Sequence, residues 1–282
     1  MISPAIYSEV EQALGLHITA VAPLSAANNA QIYRLAFANG EVRVAKVAEK
    51  GLETEAWMLK YLREKSSLPV PEVFYSNEHV IIMEFVPSTG MIDYRIESTA
   101  AEQIAALHGI TAEAYGMERD TLVGSLTQPG GWEKDWSAFF GEKRLLHMAR
   151  RAISENKIDA KMLTQIEKLA AKLPAMLKGA QPPSLVHGDI WSGNIIAGRG
   201  RIAAFLDPAI YYGDAEVELA FIRLFNTFSD SFFAKYNEIR PIRAGFFEER
   251  ADIYALYPLL VHTRLFGASY ARKAQKILDK FV

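Results

Sequence analysis

Three side chains in one stretch of the chain could carry phosphoryl chemistry together: Asp189, Asn194 and Asp207. The stretch runs Leu185-Val186-His187-Gly188-Asp189-Ile190-Trp191-Ser192-Gly193-Asn194-Ile195-Ile196. It turns at Gly198-Arg199-Gly200 and returns as Ile202-Ala203-Ala204-Phe205-Leu206 to Asp207. Short apolar runs broken by glycine read as strands, and loops at strand ends are where sites sit. Asp189 and Asn194 stand five residues apart, at the two ends of one loop. Such a loop can hold a carboxylate beside an incoming hydroxyl and aim an amide oxygen at a metal. Asp207, after the return strand, can add the hard oxygen that Mg²⁺ prefers. A carboxylate base, with a carboxamide and a second carboxylate on metal, is a phosphoryl-transfer arrangement. Without their frame the same residues would be ordinary turn formers. His-Gly before Asp189, Gly before Asn194 and a strand before Asp207 favour a site.

The elements that must position a nucleotide lie earlier. Ile6, Val10 and Leu14 are four apart, which predicts a short amphipathic helix over about residues 4–14. Gln31 to Phe37 and Glu41 to Val47 read as a hairpin about the turn Asn39-Gly40. On the second strand Val42, Val44 and Lys46 share one face, and a lysine among valines wants an anion. Leu52, Glu55, Ala56, Leu59 and Leu62 form a helical stripe that turns Glu55 inward, where an unpaired carboxylate is costly. Local sequence leaves open whether Lys46 and Glu55 pair or lie apart on the surface. Leu68-Pro69-Val70-Pro71 predicts an extended connector, followed by strands over residues 72–75 and 79–85.

Further on, Thr99 and Glu102 predict a capping box opening a helix that ends near His108. Residues 115–132 read as a long turn-rich segment with Gly130-Gly131-Trp132. Helices are expected over residues 135–152, 159–177, 215–225, 229–239, 247–266 and 269–281, with Met162, Ile166, Leu169 and Leu173 as a core stripe. Asp214 fits a helix cap, and His108 reads as a structural imidazole rather than a proton carrier.

His187 to Asn194, and Asp207-Pro208-Ala209-Ile210-Tyr211-Tyr212-Gly213-Asp214, resemble the catalytic segments of the fructosamine kinase (ketosamine 3-kinase) family. That family is related to aminoglycoside and choline kinases. Tyr115 to Trp132, continuing to Arg144, resembles the same family, and the general kinase-like fold does not require it. The resemblance covers nearly the whole chain. It implies an α+β, two-lobed protein-kinase-like fold. Residues 1–86 would form a small antiparallel-sheet lobe and residues 87–282 a larger helical lobe, with ATP and Mg²⁺ bound between them. In register with the family, Lys46 is held by Glu55 against the α/β-phosphates, Asn194 and Asp207 hold Mg²⁺, and Asp189 is the catalytic base. Ser25 and Asn28 fall where the family has a glycine-rich phosphate loop, although Ala26-Ala27 replaces glycines here. The backbone of Glu84 and Val86 is expected at adenine. Trp191 would stack on the sugar or amine of the acceptor, or pack in the helical lobe instead. The implied acceptor is a ketosamine, free or on a glycated protein, phosphorylated at the sugar 3-hydroxyl. Two alternatives remain: a phosphotransferase for an aminoglycoside, choline or amino sugar, or a non-catalytic nucleotide-binding module.

Composition narrows the classes. Half of the 282 residues are hydrophobic and 23% are charged, as in an ordinary globular core. A net charge of -2 argues against bulk electrostatic binding of nucleic acid or anionic membrane. With no cysteine, disulfides, thiolate catalysis and cysteine-based metal sites are excluded. No signal pattern or membrane-length apolar run is visible, so a cytoplasmic protein is the expectation.

Overall fold

A computed structural model describes residues 3–27, 30–88 and 90–282. The chain divides into two compact units, the first comprising residues up to Thr99 with Asn194–Pro208, the second Ala100–Gly193 with Ala209–Val282. Residues 87–99 and 194–208 therefore group with the N-terminal sheet. Of the expected site residues, Lys46, Glu55, Asn194 and Asp207 belong to the first unit, and Asp189 and Trp191 to the second.

The first unit opens with helix α1 (Pro4–Leu14), capped by the Ser3 side chain and ended by Gly15. Strands β1 (Ile18–Ala27), β2 (Ala30–Phe37) and β3 (Val42–Ala48) come next. Helix α2 (Leu52–Lys65) precedes β4 (Val73–Ser76) and β5 (Val80–Glu84). The antiparallel sheet has the order β1-β2-β3-β5-β4. Gly40 at φ 86° makes the turn expected at Asn39-Gly40. Along β2, Tyr33, Leu35 and Phe37 enter a core with Val10, Ile18, Ala45, Val80 and Ile82. The opposite face packs on α2, where Leu52 and Ala56 meet Ile81 and Met83. Each large apolar side chain so buried contributes about 1.5–3 kcal/mol.

Helix α3 (Tyr94–His108) starts earlier than the Thr99–Glu102 pattern suggested. The Asp93 carboxylate accepts from the Arg95 and Ile96 amides, each at 3.0 Å, and caps the helix there. Thr99 lies inside the helix and donates its hydroxyl to the Ile96 carbonyl.

The segment expected to be irregular carries four short strands: β6 (Tyr115–Met117), β7 (Thr121–Val123), β8 (Leu126–Gln128) and β9 (Gly131–Glu133). At Gly116 a Cβ would lie 2.0 Å from the Gly131 carbonyl oxygen, so glycine is what lets β6 and β9 meet. Helix α4 (Trp136–Ala138) runs through a π-helical stretch, Phe139–Leu146, into α5 (His147–Ser154). Helix α6 (Ala160–Met176) follows and buries Met162, Ile166, Leu169 and Leu173, as its stripe predicts. Strand β10 (Ser184–Val186) leads to the hairpin β11 (Ile195–Ala197) and β12 (Ile202–Phe205), which belongs to the first unit. Strand β13 (Tyr211–Gly213) completes a sheet of order β10-β13-β6-β9, and β7 pairs with β8 alone.

Four helices end the chain: α7 (Glu216–Leu224), α8 (Asp230–Ile239), α9 (Ala251–Phe266) and α10 (Ala268–Phe281). A buried ionic cluster ties the start of α7 to the start of α9. The Glu216 carboxylate accepts from Arg250 at 2.6 and 2.9 Å and from Arg243, and Asp214 accepts from Arg243 at 2.6 Å and from the Tyr254 hydroxyl. Asp214 also accepts the Glu216 amide at 3.1 Å, although the residue at the cap position of α7 is Ala215. No helix among the described residues is long and apolar enough to cross a membrane.

Candidate active site

In the first unit the β3 register places Lys46 opposite Ile32 on one side and Ile81 on the other, on the sheet face that receives α2. Its ammonium donates to both Glu55 oxygens, at 2.7 and 2.8 Å, and to Asp207 Oδ1 at 2.8 Å. The lysine is 6% exposed. Burial works against its charge, yet the two carboxylates override burial and hold its pKa above the ordinary lysine value. Two carboxylates sharing one ammonium leaves Glu55 the poorer partner. Burial first, with the Asp207 charge adding to it against the pull of Lys46, pushes Glu55 up to about 7.

The β11–β12 hairpin delivers the other two groups. Its register pairs Ile195 with Phe205, which puts Asn194 and the residues after Phe205 at the same open end. The Leu206 amide closes that end by donating to the Asn194 carbonyl at 2.9 Å. Asp207 follows at φ 52°, a left-handed conformation that aspartate tolerates better than most residues. The Phe205 amide donates to the Pro69 carbonyl at 2.8 Å, so the proline connector anchors the hairpin. Lys46, Glu55 and Asp207 are thus one hydrogen-bonded cluster, with Asn194 at the same hairpin end.

The phosphate-loop expectation meets a different local structure. Ser25 is exposed and paired opposite Ile32 within β1, whose pairing with β2 continues to Ala27–Ala30. Alanines in place of glycines allow the strand to extend where a glycine loop would bend. Asn28 lies outside the described residues. Glu84 is the last residue of β5, and its amide donates to the Glu72 carbonyl at 2.8 Å. That amide is therefore engaged in the sheet. Val86 follows in irregular backbone and is half-buried.

In the second unit, β10 runs into His187-Gly188-Asp189. Gly188 sits at φ 84°, and a Cβ there would lie 2.3 Å from the Ala209 carbonyl oxygen, so only glycine fits this approach. The fully buried Glu218 carboxylate accepts from the Gly188 amide at 2.6 Å and the His187 amide at 3.3 Å. Glu218 also bonds His108 Nε2 at 2.9 Å, and His108 Nδ1 bonds the Tyr236 hydroxyl at 2.7 Å. Burial alone would raise the Glu218 pKa. The His108 bond and charge, then His187 and the Gly188 amide, bring it below its ordinary value, so it stays a carboxylate. His187 accepts the Asp189 amide at Nδ1 at 3.3 Å, a scaffold contact. Thr227 donates to the Ile190 carbonyl at 3.1 Å. Asp189 is half-buried on a loop held from several sides. Trp191 is 42% exposed. Its indole lies flat over Gly193, where a Cβ would come within 2.4 Å of the ring.

The loop-holding group Glu218, His108 and Tyr236 went unrecognised in sequence. Glu218 and His108 stand 110 positions apart, and no local spacing signals such a pair. Tyr254 and Tyr257 are buried and hydrogen-bonded to Asp214 and Gln128. His262 bonds the Pro258 carbonyl within α9, and Arg264 pairs with Glu155.

Comparison with known proteins adds a family. A family model described as fructosamine kinase matches residues 5–282. A Vibrio vulnificus protein named a probable ketoamine kinase is 33% identical over 237 residues, covering 82% of this chain and 80% of its own. The chloroplastic protein-ribulosamine 3-kinase of Arabidopsis thaliana is 35% identical over 240 residues, covering 82% and 72%. Among solved structures, a Thermobifida fusca protein assigned as a fructosamine-3-kinase superposes with a TM-score of 0.88 at 28% identity, covering 98% of this chain and 97% of that one. The aminoglycoside phosphotransferase APH(4)-Ia, in complex with ADP and hygromycin B, superposes at 0.68 with 16% identity over 99% of both chains, a likeness of fold.

Proposed function

The chain belongs to the fructosamine kinase family, and from that premise we propose that it phosphorylates the sugar 3-hydroxyl of ketosamines. It is an ATP-dependent phosphotransferase, as its family is. The substrate class follows the names of its relatives, a ketoamine kinase and a protein-ribulosamine 3-kinase. The acceptor is a free ketosamine or a glycated protein, and the outcome is deglycation, since a 3-phosphorylated ketosamine eliminates spontaneously.

The observation that carries the reading is the Lys46–Glu55–Asp207 cluster with Asn194 at the same hairpin end. Lys46, held by Glu55, neutralises the α- and β-phosphates of ATP. Among the described residues no three His, Asp or Glu side chains gather into a metal cage. One carboxylate and one carboxamide do suit Mg²⁺, which takes its remaining ligands from phosphates and water. Asp207 and Asn194 would hold the ion, which supplies positive charge to offset that on the phosphate oxygens. Asp189 accepts the proton of the acceptor hydroxyl and orients its oxygen. That oxygen forms a bond to the γ-phosphorus, the bond to the β-bridging oxygen breaks, and ADP leaves. Trp191 offers an exposed indole face for stacking on the sugar or amine.

The test is an acceptor screen read by phosphorus NMR. With ATP and Mg²⁺, fructose-lysine or ribulose-lysine should give a sugar 3-phosphate, while kanamycin and choline give none. Turnover of kanamycin or choline with none of either ketosamine would refute the acceptor assignment. Nucleotide binding without any product would point to a binding module.

A further inference from the structure

Strands β7 and β8 belong to the segment that the general kinase-like fold does not require, and the reaction as described gives them no task. Their last residue, Gln128, is 1% exposed with both ends of its amide engaged. Its Nε2 donates to the Ala209 carbonyl at 3.0 Å, to Thr121 Oγ1 at 3.1 Å and, more distantly, to the Leu122 carbonyl. Its Oε1 accepts the Tyr257 hydroxyl at 2.6 Å. Ala209 in turn touches the catalytic loop twice. Its amide donates to the His187 carbonyl at 2.7 Å, and its carbonyl is the wall against which Gly188 is set. The residue after Gln128 is fixed as well, because Arg144 donates to the Pro129 carbonyl at 3.0 Å from a fully buried guanidinium over the Tyr211 ring.

We propose that Gln128 is a positioning residue for Asp189. It pins the Ala209 carbonyl, Ala209 fixes His187 and Gly188, and these set the aspartate that follows; holding Gln128 in place is the task of the β7–β8 hairpin. The inference rests on the reading of Asp189 as the base. Removing the Gln128 amide leaves the buried Ala209 carbonyl and the Tyr257 hydroxyl without a partner, and the backbone must move to regain one.

The experiment compares Gln128→Leu, Tyr257→Phe, the double variant and Asp189→Ala, each shown folded by circular dichroism at the assay temperature. A displacement of about 1 Å at the reacting groups costs on the order of a hundredfold in rate. Gln128→Leu should therefore lower kcat by about that factor with KM for ATP unchanged, while Gln128→Asn, which keeps a shorter amide, recovers part of the loss. Tyr257→Phe frees only Oε1 and should lower kcat severalfold. The double variant should be no slower than Gln128→Leu, because both act along one path. Folded Gln128→Leu with wild-type kcat overturns the proposal, as does strict multiplicativity in the double variant. Should Gln128→Leu fail to fold, wild-type kcat in Tyr257→Phe overturns it alone. Near-normal turnover in Asp189→Ala would instead refute the base assignment on which the inference stands.

Discussion

Replacing Lys46 by methionine tests the cluster through its dependence on pH. Methionine keeps the length of the side chain and removes the ammonium that both carboxylates share. Deleting one partner of a buried ion pair costs about 3–5 kcal/mol. Two features of this site reduce that figure. Asp207 has a side chain 37% exposed, so water covers part of its loss. Glu55, already pushed up to about 7, can take a proton instead of standing as a bare buried charge. Between the ordinary carboxylate range and about pH 7, folded wild-type protein holds a proton on Glu55 that the unfolded chain releases. Stability from this group therefore falls as pH rises through that window. Without Lys46 the proton is held to still higher pH, so the deficit of the variant widens from pH 6 to pH 8. At pH 8 we expect a loss of about 3 kcal/mol, the lower end of the buried-pair range. At pH 6 it should be smaller by about 1.4 kcal/mol, the most that one proton released near pH 7 can supply over this interval, and so about 1.6 kcal/mol. At about 2–4 °C per kcal/mol for a chain of this size, those are drops in Tm of about 6–12 °C and about 3–6 °C. Thermal unfolding followed by circular dichroism at the two pH values measures both. Equal losses at pH 6 and pH 8 would refute the argument that Glu55 is the strained member.

Two further outcomes follow from the same geometry. Mg²⁺ held on Asp207 with ATP, as proposed, would neutralise a carboxylate that repels Glu55, whose pKa should then fall. Binding near pH 7 should then release a fraction of a proton, read by calorimetry in buffers of different ionisation enthalpy, and Glu55→Gln should release none. Proton uptake in the wild type would contradict the coupling. Gly193→Ala should push the Trp191 indole off its seat without unfolding the loop, since the ring is 42% exposed and free to move. Loss of an aromatic contact should raise the acceptor KM about twofold to tenfold and leave KM for ATP unchanged. An unchanged acceptor KM would remove Trp191 from the acceptor site.

Local chemistry carried much of this molecule in sequence. Asn39-Gly40 had only one economical structure, and the stripe of α6 could bury nothing else. Lys46 among valines and Glu55 on an apolar stripe each needed a partner, and each is the other's. What escaped reading has physical causes as well. The strands β6 to β9 are three residues each, too short to show a period, and glycines at their contacts imitate loop composition. Asp93 begins α3 six residues, nearly two turns, before a capping box that looked complete, because the earlier carboxylate captures the free amides first. Ser25, in β1, pairs with Ile32 of β2, since alanine does not open the loop that glycine would. Glu218, His108 and Tyr236 meet only through tertiary folding, so their support of the catalytic loop was invisible in any window of the chain.

The role of Asp189 as the proton acceptor is tested most directly by one variant. Asp189→Ala should bind ATP with Mg²⁺ at wild-type affinity by calorimetry while phosphoryl transfer to a ketosamine falls by at least on the order of a thousandfold, the scale of a lost general base. Turnover near the wild-type rate in that variant would contradict the mechanism.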